Sequence, residues 1–159
     1  MNPSRRIRAV LVGLSVTLAA CSSVTRPAPE PGPSSDIGAS ERQRGQRAVE
    51  LAMTYRGAPY RWGSADPSGF DCSGFVQYVY AQVGVSLPHN AAQQYQHGTP
   101  VARDRLQPGD LVFFDGLRHN GIYIGDGRFI HSRQTGKHVG VAGLDEAWYR
   151  THWVGARRL

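Results

Sequence analysis

The sequence predicts an α+β domain, with helices in its first half and a small antiparallel sheet in its second. Apolar residues recur every three or four positions in two stretches between Glu41 and Val83, the period of a one-sided helix. From Leu111 onward the pattern changes to short β-branched and aromatic runs separated by Gly and Asp. Helices followed by strands, rather than alternating with them, argue against a parallel βαβ sheet. At 159 residues, with 40% apolar and 9% aromatic content, the chain supports one packed core. It is too short for a barrel enzyme or a two-domain dinucleotide enzyme.

Residues 1–20 read as a targeting segment. Arg5, Arg6 and Arg8 precede a 12-residue apolar run from Ala9 to Ala20. A spanning helix needs about 20 such residues, so the run fits the apolar region of a signal peptide. It ends in Leu18-Ala19-Ala20-Cys21, which resembles the lipobox of bacterial lipoproteins. That resemblance implies cleavage before Cys21, diacylglycerol on its sulfur and acylation of its amine. With Ser22 next and no Asp there, it also implies an outer-membrane lipoprotein facing the periplasm. Arg8 breaks the weak twin-arginine pattern at Ser4-Arg5-Arg6, so the general secretory route is expected.

The formal charge of +6 would ordinarily suggest nucleic acid. Removing residues 1–20 removes three arginines and no acids, leaving 15 bases against 12 acids. Nucleic acid is therefore not expected as a partner.

Residues 21–40 hold Pro27, Pro29, Pro31 and Pro33 among Ser, Ala and Gly, a composition expected to form an extended tether. The folded domain is placed at 41–159. Glu41 to Tyr55 predicts a helix with Ala48, Leu51, Ala52 and Tyr55 on one face, ended by Gly57 and Pro59. Cys72 to Val83 is the strongest helical pattern, closed by Gly84. Asn90 is an N-cap for a short helix reaching His97. Strands are expected over 111–114, 121–124, 128–132, 139–142 and 153–157.

If Cys21 carries lipid, Cys72 is the only thiol left. Asp71 caps the helix that Cys72 opens, and the first turn of a helix favours a thiolate. A thiolate nucleophile needs a base, and the base an orienting group. His119 and His131 flank a hairpin signal, Gly125-Asp126-Gly127. A two-residue loop would pair Ile122 with His131 and put His119 on the opposite face. A three-residue loop pairs Gly121 with His131 and places both imidazoles on one face, about 7 Å apart. The three-residue loop is expected, with Gly127 left-handed in a bulged turn.

Four segments then resemble the NlpC/P60 family of cell-wall cysteine peptidases: Pro59-Tyr60-Arg61-Trp62-Gly63, Phe70-Asp71-Cys72-Ser73-Gly74-Phe75-Val76, Pro108 to Phe114, and His119 to Gly125 continuing through Phe129-Ile130-His131. The resemblance covers about 45–159. It implies a papain-like core, with the nucleophile at a helix start packed on an antiparallel sheet. It also implies hydrolysis of peptide bonds in peptidoglycan stems or cross-links. By motif position Cys72 is the nucleophile, His119 the general base and His131 the group that orients it. Tyr60 lines the site and helps bind the oxyanion, and Asp71, Ser73 and Trp62 are candidates around it. Two positions depart from the family pattern: Ser64 follows Gly63, and Asn120 stands where Val is usual.

His89 reads as a surface-loop residue or part of a groove wall, and His97, His138 and His152 as solvated or structural. Trp148 and Trp153 read as core, and Arg61, Arg118 and Lys137 as solvated charges. No cofactor or metal is called for. The expected partners are peptidoglycan stem peptides, the membrane through the anchor at Cys21, and an adaptor or regulatory protease; the chain is expected to be a monomer. The alternatives are an amidase or acyl-transfer enzyme on the same scaffold, a non-catalytic wall-binding lipoprotein, and a metal site built from Cys72, His119 and His131. Replacing Cys21 by Ala is expected to abolish incorporation of labelled palmitate and move the protein from the membrane to the soluble fraction.

Overall fold

The computed structural model describes residues 33–159. The targeting segment, Cys21 and most of the proline-rich stretch lie outside the described residues. The order of elements is α1 (Pro33–Thr54), β1 (Ala65–Asp66), β2 (Gly69–Phe70), α2 (Cys72–Gln82), α3 (Ala91–Gln94), β3 (Thr99–Val101), β4 (Leu111–Phe114), β5 (His119–Gly125), β6 (Arg128–Ser132), β7 (Val139–Gly143), α4 (Ala147–Thr151) and β8 (Trp153–Arg158).

Helix α1 starts at Pro33, not Glu41, so the tether expected through residue 40 is helical over its last eight residues. The physical reason is in the composition. Pro33 is the last proline before Pro59, and proline is tolerated in the first turn of a helix. At its other end α1 stops where expected, with Ala48 and Ala52 fully buried and Leu51 and Tyr55 packed beside them.

The six main strands form one antiparallel sheet in the order β3-β8-β4-β5-β6-β7. Alternation along the strands divides the core in two. Leu111, Phe113, Ile122, Ile130 and Val139 face α1 and α2, packed with Phe75, Val76, Val79 and Tyr80. Val112, Phe114, Tyr123, Phe129 and Ala142 form the opposite face with Tyr149 and Ala156. The edge of β7 is covered by 57–60: the Gly57 amide donates to the Val139 carbonyl and the Val139 amide to Ala58. An edge paired in this way is closed to other chains. The edge strand β3, the two-stranded β1–β2 ribbon and α4 were not expected; each is five residues or fewer, too short to show a period.

The β5–β6 hairpin corrects the expected loop and keeps the expected register. The turn has two residues, Asp126 and Gly127, both left-handed (φ 51 and 67), and Gly125 pairs with Arg128. A bulge between Tyr123 and Gly125 then inserts one residue, so Ile122 lies opposite Ile130 and Tyr123 opposite Phe129. This register equals that of a three-residue loop, and His119 and His131 share a face. The primed turn matches the strand twist, and the bulge absorbs the offset.

Helix α1 meets the sheet layer through two glycines. A Cβ on Gly45 would overlap the Pro108 carbonyl oxygen, and one on Gly109 (φ 96) would overlap the Gly45 backbone. Tyr80, fully buried, donates its hydroxyl to the Gly109 carbonyl and anchors the same crossing. Gly45→Ala is expected to lower stability by about 1–3 kcal/mol, the scale of overpacking. Gly140→Ala, whose added Cβ would meet nothing closer than 3.7 Å, is expected to be near neutral; thermal melts of the two variants measure the contrast.

Candidate active site

Cys72 opens α2, and Asp71 caps it as expected: its Oδ1 accepts the Gly74 amide at 2.7 Å. The same carboxylate also accepts the Ser73 hydroxyl (3.1 Å), the Gly63 amide (2.9 Å) and His89 Nε2 (2.8 Å). Asp71 and Ser73 are therefore mostly buried and tied into this network, while both still line a second cavity with Trp62, Cys72 and His89. His89 is likewise not a free surface residue, because it pairs with Asp71.

Cys72 is half-buried, and its Sγ lies 3.7 Å from the Arg118 carbonyl, one residue before His119. The chain arrives there through a tight turn in which Asp115, Gly116 and Leu117 all have positive φ (54, 58 and 69). Such strained runs persist only where surrounding contacts hold them. Here the Asp115 amide donates to the His152 carbonyl, and Arg118 Nη2 to Asp115 Oδ1 at 2.8 Å.

His119 Nε2 and His131 Nδ1 are 2.7 Å apart, with ring centroids at 4.9 Å. His131 is 1% exposed, and its other nitrogen, Nε2, contacts the Tyr149 hydroxyl at 3.2 Å. By strand alternation the two histidines lie on the Phe129–Tyr149 face, while α2 packs on the other. Cys72 and His119 line one cleft because β5 begins at His119, where a helix start can reach over the end of the strand.

A cleft of about 430 Å³ joins these groups, lined by Tyr60, Trp62, Cys72, His119, Arg133 and Tyr149 among others. Tyr60 is placed by its amide, which donates to Lys137 across the covered sheet edge. Trp62, 85% exposed, stands at the rim. Trp148 corrects its expected core position: it is 45% exposed, lines the cleft and stacks on His152 at 4.4 Å. Arg61 donates to Ser68. Among the described residues no group of His, Cys, Asp and Glu is arranged to hold a metal ion.

The sequence profile of the NlpC/P60 family matches residues 57–158. The chain belongs to the NlpC/P60 family. It is 37% identical over 139 residues to the murein DD-endopeptidase MepH of Escherichia coli, covering 79% of this chain and 51% of that protein. It is 44% identical over 118 residues to the gamma-DL-glutamyl hydrolase of Bacillus subtilis, covering 70% and 28%. The NlpC/p60 domain of the peptidoglycan hydrolase SagA superposes with a TM-score of 0.66 at 37% identity, covering 72% of this chain and 98% of that one. The chain thus spans about a quarter to a half of the length of the curated relatives it matches. The α+β fold with its antiparallel sheet is that of other NlpC/P60 domains.

Within this NlpC/P60 domain Asn120 has a definite place. It is fully buried on the α2 side of the sheet and donates from Nδ2 to Gln94 Oε1 at 2.6 Å. Gln94 in turn donates to the Ser73 and Pro88 carbonyls, so a polar chain links the strand of His119 to the helix of Cys72. Among the described residues Asn120 Oδ1 has no hydrogen-bond partner. Gln94, Tyr149 and Arg133 escaped the sequence reading. Gln94 looks like any polar helix residue, and the Trp148-Tyr149 pair was the one hint of a second aromatic wall.

Electrostatics corrects the expected thiolate. Burial pushes the Cys72 thiol up, and the Asp71 charge adds to it; nearby amides of Ser73, Asn120 and Cys72 itself oppose without prevailing. Burial lowers His119 to about 4, with Arg133 lowering it further and Asp115 opposing. Burial, His119 and Arg133 also lower His131. The resting pair is therefore a neutral thiol beside a neutral imidazole. Alkylation of Cys72 by iodoacetamide reports thiolate, and a raised thiol forms thiolate only above the ordinary cysteine range. Its rate should climb steadily between pH 6 and 9.5, with no plateau at neutral pH. A stable ion pair would instead give a plateau from about pH 5.

Proposed function

We propose that this chain is a cell-wall cysteine endopeptidase in which Cys72 is the nucleophile, His119 the general base and His131 the group that orients it. The 2.7 Å contact between His119 and His131, on the wall of the cleft onto which Cys72 opens, carries this reading. It occupies Nε2 of His119 and leaves Nδ1 as the nitrogen that can serve the thiol. The reaction starts from neutral groups. As Sγ attacks the amide carbon, its proton passes to His119 Nδ1. The imidazolium so formed donates from Nε2 to His131. The tetrahedral oxyanion is met by backbone amides at the start of α2 and by the phenol of Tyr60, which burial keeps protonated. His119 then gives its proton to the departing amine as the C–N bond breaks and a thioester remains. Water, deprotonated by His119, attacks the thioester; the acid leaves and Sγ recovers its proton.

The substrate proposed is peptidoglycan, cut at the cross-link between stem peptides. The likeness to a murein DD-endopeptidase supports that bond, and the likeness to a gamma-DL-glutamyl hydrolase supports a cut within one stem as the alternative. A lipid anchor at Cys21 would hold the domain at the outer membrane, where its substrate lies.

Digestion of purified sacculi followed by mass spectrometry of the muropeptides tests this function. Conversion of dimers to monomers is the expected product change, and stems shortened to dipeptides would assign the other bond. Cys72→Ala and His119→Ala should each reduce release by at least about a thousandfold without changing the melting temperature. Wild-type release by Cys72→Ala would overturn the mechanism.

A further inference from the structure

We propose that Tyr149 is a positioning residue whose phenolic oxygen accepts the Nε2 proton of His131 and so sets the tautomers of both histidines. The inference rests on the reading of His119 as the base. A base at Nδ1 of His119 must carry its resting proton on Nε2. That proton points at His131 Nδ1, 2.7 Å away, which must then be an acceptor. A neutral imidazole accepting at Nδ1 carries its proton at Nε2. In His131 that atom is buried, and its partner is the Tyr149 hydroxyl at 3.2 Å. The direction of the last bond thus determines whether the first nitrogen, two rings away, is basic.

The opposite polarity is sterically equal and chemically different. If Tyr149 donated to His131 Nε2, His131 would be protonated at Nδ1 and His119 at Nδ1, and the thiol would face an N–H rather than a lone pair. Arg133 biases the choice, because it lines the same cleft and its positive charge favours a phenol oxygen that turns its lone pairs, not its proton, inward. An oxygen that accepts from His131 leaves its own proton to the cleft.

The ring of Tyr149 is held independently of its hydroxyl. It packs edge-on against Phe114 (5.1 Å), Phe129 (4.8 Å) and Trp148 (5.1 Å). Tyr149→Phe therefore removes the acceptor and keeps the packing.

The full chain, labelled with 15N-histidine, gives the decisive spectrum, and sacculus digestion gives the kinetics. In the wild type His131 should be the Nε2–H tautomer. In Tyr149→Phe its resonances should move toward a mixture of tautomers, kcat should fall roughly 10- to 100-fold, the scale on which outer partners of ligating histidines act, and KM and the melting temperature should stay within twofold and about 2 °C of wild type. An Nδ1–H His131 in the wild type would overturn the proposal, and that measurement needs no variant. Unchanged kcat in Tyr149→Phe would also overturn it. So would a change confined to KM, which would assign the hydroxyl to substrate. If Cys72→Ala kept full activity, the proposed function would fail, while the tautomer spectra would still decide the direction of the histidine–tyrosine chain.

Discussion

The Asp71 carboxylate is the constraint on which the site depends. It accepts the Gly74 amide and Ser73 hydroxyl of α2, the Gly63 amide beside Trp62, and His89 from the loop before α3. The loop at Gly63, the start of α2 and the loop at His89 are thereby fastened at the residue before Cys72. Hydrogen bonds to a charged group contribute about 1.5–3 kcal/mol each, more than the typical neutral bond. A buried carboxylate left without them would be costly. The carboxylate thus both requires its four donors and holds them, which places the thiol at the meeting point of the loop at Trp62 and the loop at His89.

The same burial that makes the frame rigid sets the chemistry. A helix start offers a thiol dipole and amides that favour thiolate, and the sequence position of Cys72 predicts that outcome. The folded environment reverses it, because desolvation and the Asp71 charge together outweigh the amides. The imidazoles respond to burial in the opposite chemical sense and also stay neutral. In the proposed reaction the groups start neutral, and charge develops only as the proton moves during attack. A hydrolase benefits from a thiol that does not react with other electrophiles at rest.

Placement of thiol and imidazole on opposite faces of the sheet has a further consequence. The two share a cleft only at the end of β5, so the Asp115–Leu117 turn that precedes it must be tightly specified. The Asn120–Gln94–Ser73 chain adds a polar tie across the sheet on the other side. Strand end, left-handed turn and polar tie together set the spacing of Cys72 and His119.

Much of this was legible in the chain. The α2 helix and its cap, the strand order of classes, the shared face of the two histidines and the Cys72, His119 and His131 positions follow from period, capping chemistry and motif spacing, all of which are local. The missing parts depend on distant contacts. Helix α1 extends to Pro33 because no later proline stops it. Trp148 is exposed because the β5 strand end leaves a cleft beside it. His89 finds Asp71, 18 residues away, and Tyr149 finds His131 at the same separation. By itself the sequence determined the helix cap before Cys72 and which residues lie on one strand face, because capping chemistry and side-chain period are short-range properties. Only the tertiary structure set the burial that raises the thiol and placed the Tyr149 hydroxyl behind His131. Burial and the identity of a buried partner are properties of how the layers pack.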